Sequence, residues 1–600
     1  LYACFIKRCC ELAGDDGKVG MIHPLSFMYI SSYEQVRKYI LDNTHISILT
    51  ELGLGGVFKN AQIDTAAYIL DKSNDISGNG IYINLTKYKN HTNKPQIFLD
   101  AYKNCAQGLD DSHVYMLSQT KFKQIKSYPF IYWISDEFRK KFQSKSIDSV
   151  VKNSQGMSVS NKEKYQRFFW EVELNNITKH KNEKRRWVFF SKGGPFCKWF
   201  GNNWLLVDWD NDGYDLKHFP KAVIRNQDYY FIEGVTYSSS GSKEASFRYL
   251  PDYFLFSGGG PSITVKNNTN IDWQYICCLM NSTLSRYMLE CLNPTVNTTQ
   301  GDLNRIPLVF PESDVRCLLN LLCNQCVSIK KDICSYSIIE YEFKHSPILS
   351  IGEVNRNIYK YYIKESALLT LVLLNEAVVD SIIINVYALS AHDRQMVIDK
   401  EGVPVGDYSV SLQAKEAYKE WLSTNTEFPA SPEVLEHINS LEINEEQPHI
   451  DDFELLYQGN NGWEEFCSKH KMNPIEVWYQ FKNAGILPPQ RTQALAFELI
   501  TDVIRSVLAK DDDGIIPLTE RMGEEQLAGR VEQELVERGY NSAQISQIIQ
   551  VLGGTLNDYL LNKFFSQLSN HLKLFKHLPA TPFIWHLTSG PHHAIELYIS

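Results

Sequence analysis

The sequence predicts an α/β sheet ending in a β-hairpin, then an α+β region, then a mainly α-helical C-terminal region. Three observations predict this. Helical and strand periodicities alternate over the first seventy residues, short alternating runs rich in Trp, Tyr, Phe and Gly fill 150–265, and helical spacing dominates from Pro311 onward.

The elements follow in order. Leu1, Phe5, Cys9 and Leu12 recur at helical spacing, and Gly14-Asp15-Asp16-Gly17 then punctuates before the apolar run from Val19 to Ile22, which stops at Pro24. Ser31-Ser32 is expected to cap a second helix carrying Tyr33, Val36, Ile40 and Leu41, with Glu34 and Arg37 on its other side. Ile46 to Leu52 reads as a strand. After Gly53, Gly55 and Gly56, the run Thr65 to Leu70 reads as another, returning antiparallel. From Tyr88 to Asp148 the chain is polar and weakly periodic, an extended connection with short strands. Helical spacing returns from Trp273 to Leu292, and later over Ser366 to Tyr387, Thr492 to Leu508, Glu524 to Arg538 and Leu556 to Leu574. The expected domains are 1–120, 121–310 and 311–600.

Composition narrows the class. With 600 residues, 44% hydrophobic and 22% charged, the chain is too apolar to be disordered and has no collagen-like glycine excess. The longest strongly apolar stretch, Ala367 to Leu374, lies between Glu365 and Glu376 and falls short of the roughly 20 residues that cross a bilayer, so no membrane span is expected. Thirteen cysteines, an odd number with vicinal pairs Cys9-Cys10 and Cys277-Cys278, do not read as a disulfide framework and predict a reducing cytoplasm. The chain opens at Leu1 without Met, already inside an amphipathic pattern, and reads as a fragment.

Charge is uneven. Residues 121–200 carry 18 Lys+Arg against 7 Asp+Glu, whereas 311–600 carry 23 against 40. A basic stretch within an acidic protein suits a nucleic-acid binder, and a solvated basic face is the other reading. Between Tyr165 and Trp209 the cations interleave with rings (Phe168-Phe169-Trp170, Arg185-Arg186-Trp187, Lys198-Trp199-Phe200), which can pack or stack on bases. Packing in a β core is expected for at least two of Trp187, Trp199, Trp204 and Trp209. There is no G-x-x-x-x-G-K-[ST] loop, and Gly53-Leu54-Gly55-Gly56 is not a dinucleotide fingerprint. Cys323-x-x-Cys326 lacks a second pair and reads as helical core, so no metal site is expected.

The motifs then carry a resemblance. Leu1 to Arg8, Gly17-Lys18-Val19-Gly20-Met21-Ile22-His23-Pro24-Leu25-Ser26-Phe27, Gly56-Val57-Phe58 and Asp64 to Leu70 resemble, in order, the later motifs of N6-adenine DNA methyltransferases. Arg186-Trp187, Lys192-Gly193-Gly194, Lys198 to Asn202, Asn211-Asp212-Gly213, Glu233 to Ser238, Phe247-Arg248-Tyr249, Asn281 to Leu284 and Gly301-Asp302-Leu303 resemble the target-recognition region of the PglX-type methyltransferases of BREX phage-defence systems. The resemblance covers 1–70 and 165–310, and is weaker beyond.

That resemblance implies a partial Rossmann-like methyltransferase sheet, an α+β target-recognition domain and a helical domain. It implies S-adenosyl-L-methionine as cofactor, bound mainly by motifs upstream of Leu1, and double-stranded DNA as partner, with other phage-defence proteins possible. The Asn-Pro-Pro-Tyr/Phe loop of the family does not occur here, so this chain alone is expected to be inactive. Phe58 would stack on an adenine swung out of the duplex. Lys181, Lys184, Arg185, Arg186, Lys192 and Lys198 would contact phosphates, and Asn202 and Arg248 base edges. Gly193 and Gly194 would allow close backbone approach, with Trp199 and Ser238 completing the surface. A restriction endonuclease-methyltransferase fusion and a non-catalytic DNA-specificity protein are the alternatives.

Overall fold

The computed structural model describes residues 2–54, 63–72, 77–88, 93–240, 245–294, 298–457, 462–520 and 523–574, and the backbone alone of 583–588 and 594–599. The chain divides into two compact units. The first is Leu1–Val150 with Leu284–Phe310 and Val386–Glu401, and the second is Val151–Thr283, Pro311–Asn385 and Gly402–Ser600. These units are discontinuous in sequence and do not follow the expected ranges 1–120, 121–310 and 311–600. Phe122, Phe130 and Tyr132 pack into the core of the first sheet and carry the boundary to 150, while the recognition region and the acidic helices share one unit.

In the first unit, α1 (Tyr2–Leu12), β1 (Lys18–Pro24), α2 (Glu34–Asn43), β2 (His45–Gly53) and β3 (Thr65–Asp71) occur in the expected sequence. Strand β3 runs antiparallel to both β1 and β2 and lies between them. The hairpin does not end the sheet, however. Strands β4 (Asn79–Asn84) and β5 (Val114–Ser118) extend it in the order β1-β3-β2-β4-β5, with β4 parallel to β2, and helix α3 (Lys94–Ala106) links them. β5 is one of the short strands expected between 88 and 148, whereas β4, at 79–84, was not among the expected elements. Alternation along β3 sends Ala66, Tyr68 and Leu70 into the core shared with Ile6, Ile40 and Leu41.

Two local expectations are corrected. Ser31 and Ser32 form a 3₁₀ turn, and α2 begins at Glu34 with no side-chain cap. Arg37, placed on the polar side by periodicity, is fully buried. Its Nη1 donates to the Phe27 and Ile30 carbonyls at 2.8 Å each, and its Nε and Nη2 donate to Ser127 O at 2.9 and 2.6 Å. Carbonyl satisfaction outweighs amphipathic position here.

The second unit holds two four-stranded sheets. One has the order β11-β10-β13-β6 and the other β12-β8-β9-β7. Their strands are β6 (Val151–Ser154), β7 (Gln166–Phe168), β8 (Trp187–Ser191), β9 (Leu205–Asp208), β10 (Gly234–Tyr237), β11 (Phe247–Leu250), β12 (Phe254–Phe256) and β13 (Ser262–Val265). Helices dominate after Pro311. Cys323 and Cys326 lie buried in helix Ser313–Cys334, against Cys277 and Cys278 of helix Trp273–Asn281. A backbone hairpin, β14 (Phe583–Thr588) with β15 (Ala594–Ile599), closes the described chain.

Helix Val354–Val386 corrects the reading of its apolar run. Its 33 residues are long and apolar enough, by length and composition, to cross a membrane, although 72% of its most apolar window is buried inside the protein. Two of its acids have partners within the unit. Glu365 pairs with Arg491 at 2.9 Å, and Glu376 accepts two bonds described below.

Candidate nucleic-acid interface

Strand β8 is buried at all five positions and delivers the chain into the turn Lys192-Gly193-Gly194-Pro195. Ser191 Oγ at its end pairs with Thr236 Oγ1 of β10 at 2.8 Å. Gly193 and Gly194 have φ of +86° and +133°, a region that favours glycine. A Cβ on Gly193 would lie 2.7 Å from Gly259 O, and one on Gly194 2.8 Å from Asn202 Nδ2. The close approach these glycines permit is made by this chain's own atoms.

Three successive carbonyls of the turn accept side-chain hydrogen bonds. Arg248 Nη2 donates to Gly193 O at 3.2 Å, Ser238 Oγ to Gly194 O at 3.0 Å, and Asn202 Nδ2 to Pro195 O at 2.9 Å. Residues up to 55 positions apart in sequence thus meet on one turn. Arg248 is 2% exposed, and burial pulls its guanidinium below the ordinary range. Its Nη1 and Asn202 Oδ1 are buried without a hydrogen-bond partner among the described residues.

Beyond the turn, Trp199 bridges to Arg248 of β11. Trp199 N donates to Phe247 O at 2.9 Å, and Tyr249 N to Trp199 O at 2.8 Å. Glu376, in the long helix, binds this segment twice: Oε1 accepts from Trp199 Nε1 at 2.6 Å and Oε2 from Lys198 Nζ at 2.7 Å. Glu464 adds a second carboxylate to Lys198 at 3.2 Å. Burial pushes the Glu376 carboxyl up, and Lys198 opposes it. Further on, Trp204 Nε1 donates to Glu340 at 3.0 Å, and burial raises that carboxyl to about 8. All four tryptophans, Trp187, Trp199, Trp204 and Trp209, are core residues.

The cations therefore differ in availability. Lys198 is held between two acids. Lys192 donates to Gln166 Oε1 at 3.0 Å, and burial lowers its ammonium to about 8. By contrast Lys181, Lys184, Arg185 and Arg186, on the segment before β8, are exposed. Arg185 pairs with Glu183 at 3.1 Å, and Arg186 pairs with Asp208 at 2.9 Å while lying over the Trp187 ring. Lys181 and Lys184 have no ion-pair partner among the described residues. Gln166, Glu340, Glu376 and Glu464 were not among the sequence candidates. No spacing rule links Lys198 to an acid 178 residues away.

In the first unit, Phe58 lies outside the described residues. The C-terminal end of β2 carries a buried acid, Glu51, which accepts from Tyr29 Oη at 2.6 Å. A cavity of about 450 Å³ opens on the sheet face beside α3, lined by Met21, Ile48, Ala67, Ile69 and Phe98 among others. Its polar members are few. Lys94 Nζ is committed to the carbonyls of Leu52 and Leu54, and among the described residues no carboxylate lines it to take ribose hydroxyls. This lining does not fit S-adenosylmethionine.

The class of protein and then its relatives follow from comparison. Residues 1–58 match the Eco57I restriction-modification methylase family. The chain is similar to the adenine-specific methyltransferase BrxX of Escherichia coli O9:H4 (strain HS), 27% identical over 314 residues, covering 52% of this chain and 25% of that protein. It is likewise similar to the adenine-specific methyltransferase PglX of Lacticaseibacillus casei (strain Zhang), 28% identical over 332 residues, with 52% and 27% covered. The match thus spans about a quarter of the length of these curated relatives. The Type IIL restriction-modification enzyme MmeI, solved in complex with DNA, is 9% identical at a TM-score of 0.40, covering 70% of this chain and 52% of that one. The resemblance to PglX-type methyltransferases is shown by these relatives.

Proposed function

We propose that this chain serves site-specific methylation of adenine N6 in duplex DNA, as part of a phage-defence methyltransferase of the BREX kind, and that its own share is DNA recognition. The observation that carries the reading is the similarity to two adenine-specific methyltransferases over half of the chain. The exposed cations at Lys181, Lys184, Arg185 and Arg186 support it, because phosphate contacts need cations that water can reach.

An exocyclic amine inside a duplex is out of reach of any methyl donor. The base has to leave the stack, at a cost of a few kcal/mol, and be held by stacking and edge hydrogen bonds. Phe58 is the proposed stacking residue. S-adenosylmethionine supplies the methyl group when bound, and no residue of this chain is assigned to it. Because no Asn-Pro-Pro-Tyr/Phe run occurs, the chain alone is not expected to transfer methyl groups.

A restriction endonuclease-methyltransferase fusion is the second reading, favoured by the match of 1–58 to a restriction-modification methylase family. One experiment separates the roles. The chain is titrated with duplex DNA, then incubated with it and methyl-labelled S-adenosylmethionine. Salt-dependent binding without label transfer is expected. Absence of binding at low salt sinks the recognition role, and label in adenine N6 sinks the division of labour.

A further inference from the structure

The turn after β8 has a property that its residue types alone do not carry. Its peptides at Gly193, Gly194 and Pro195 all send their carbonyls inward, to Arg248, Ser238 and Asn202. There is no cis peptide bond among the described residues, and in a planar trans peptide the N–H points opposite to the C=O. The N–H groups of Gly194 and Phe196 therefore face outward, while Pro195 between them has none. Neither N–H has a hydrogen-bond partner among the described residues, and both residues are half-exposed. Backbone N–H groups that face solvent at a turn are donors an anion can use.

A second, independent feature points the same way. Arg248 is buried beneath this turn with no carboxylate paired to it among the described residues, and its Nη1 is unpartnered. A buried, unneutralised guanidinium is costly and leaves positive potential at the turn above it. Lys192, at the start of the turn, adds an ammonium held by Gln166.

We propose that the turn 192–196 is an oxyanion site for one phosphodiester of the DNA backbone, bound by the Gly194 and Phe196 N–H groups beside the Lys192 ammonium. Arg248, Ser238 and Asn202 are positioning residues that orient the peptides, and they do not read bases. This rests on the reading that the chain binds duplex DNA, and it replaces the base-edge roles expected for Asn202 and Arg248.

The test uses the full chain and two short duplexes of unrelated sequence, with affinity measured against salt. Ser238→Ala and Asn202→Ala should each weaken both duplexes alike, by about three- to tenfold, and Lys192→Gln should lower the salt slope by about one, because only the charged contact releases a counterion. Thermal melting checks that the variants fold. If they do not, Lys192→Gln still gives the slope readout, and amide hydrogen exchange of the wild-type peptide spanning the turn should slow when duplex is added. Loss of affinity on one duplex only, or an unchanged slope together with unchanged exchange, overturns the proposal while leaving DNA binding intact. Failure of the wild-type chain to bind either duplex overturns the reading beneath it.

Discussion

Two cationic segments, only six residues apart in sequence, are built in opposite ways. From 181 to 186 the cations stand in solvent, two of them paired with single acids and two without ion-pair partners among the described residues. From 192 to 202 the cations are committed: Lys192 to Gln166, and Lys198 to Glu376 and Glu464. A charge count treats the two segments alike. The first leaves its charge open to solvent, and the second commits it to side chains within the fold. The lesson is that a cation's task depends on which groups the fold brings to it.

The largest effect that could break this contrast is expected at Glu376. Glu376→Ala removes the acceptor of Trp199 Nε1 and one acid of Lys198, leaving a buried N–H unpaired. Breaking a buried charged pair costs about 3–5 kcal/mol, and urea unfolding should register most of that. Glu464→Gln, which leaves Lys198 its closer partner, should cost about 1 kcal/mol or less. Equal costs for both variants would mean that Glu376 is no special anchor.

Next in size is a pH dependence at the far end of the same segment. Glu340 accepts from Trp204, and burial raises its carboxyl from 4.5 to about 8. Between those values the folded state holds a proton that the unfolded state has released. Its contribution is therefore full below 4.5 and declines as pH rises toward 8. Glu340→Gln should flatten stability across that window relative to wild type, by roughly 2–4 kcal/mol at pH 9. Parallel stability curves for the two proteins would show that Glu340 titrates like a solvated acid.

Much of the opening unit was legible in the sequence, because helix and strand periods differ. Val19, Ile46 and Thr65 each begin runs that the fold uses as strands. What was illegible is long-range. Nothing local shows that β3 inserts between β1 and β2, or that β4 and β5 extend the sheet, since strand order depends on pairings among distant residues. The candidate surface divides in the same way. Lys192, Gly193, Gly194, Asn202, Ser238 and Arg248 were picked out singly, and the structure brings them to one turn. Gln166, which holds Lys192, and Glu376, which holds Lys198 and Trp199, carried no motif. Arg248 was expected at a base edge because its residue type suits guanine, and burial under a carbonyl gives that type a different task.

The exposed strip sharpens the contrast with a smaller effect on the fold and a clear one on DNA. Lys181→Gln with Lys184→Gln should change stability by no more than about 0.5 kcal/mol, since neither has a partner to lose. The double variant should lower the salt slope of duplex binding by about two. An unchanged slope would make the strip a solvated face and move the whole interface elsewhere.

The smallest and most diagnostic effect is at Lys192, which belongs to the second segment yet touches the first one's function. Burial lowers its ammonium from 10.5 to about 8. As pH rises through 8 the folded chain loses this charge, so duplex affinity should weaken and the salt slope should fall by about one. Folding responds with the opposite sign. Between 8 and 10.5 the unfolded chain holds a proton that the folded chain has released, so this group makes the protein more stable as pH rises across that window. Affinity and stability should therefore diverge above pH 8 in wild type and not in Lys192→Gln. The divergence, read by parallel binding and urea titrations, separates a buried cation at an anion site from one standing in water.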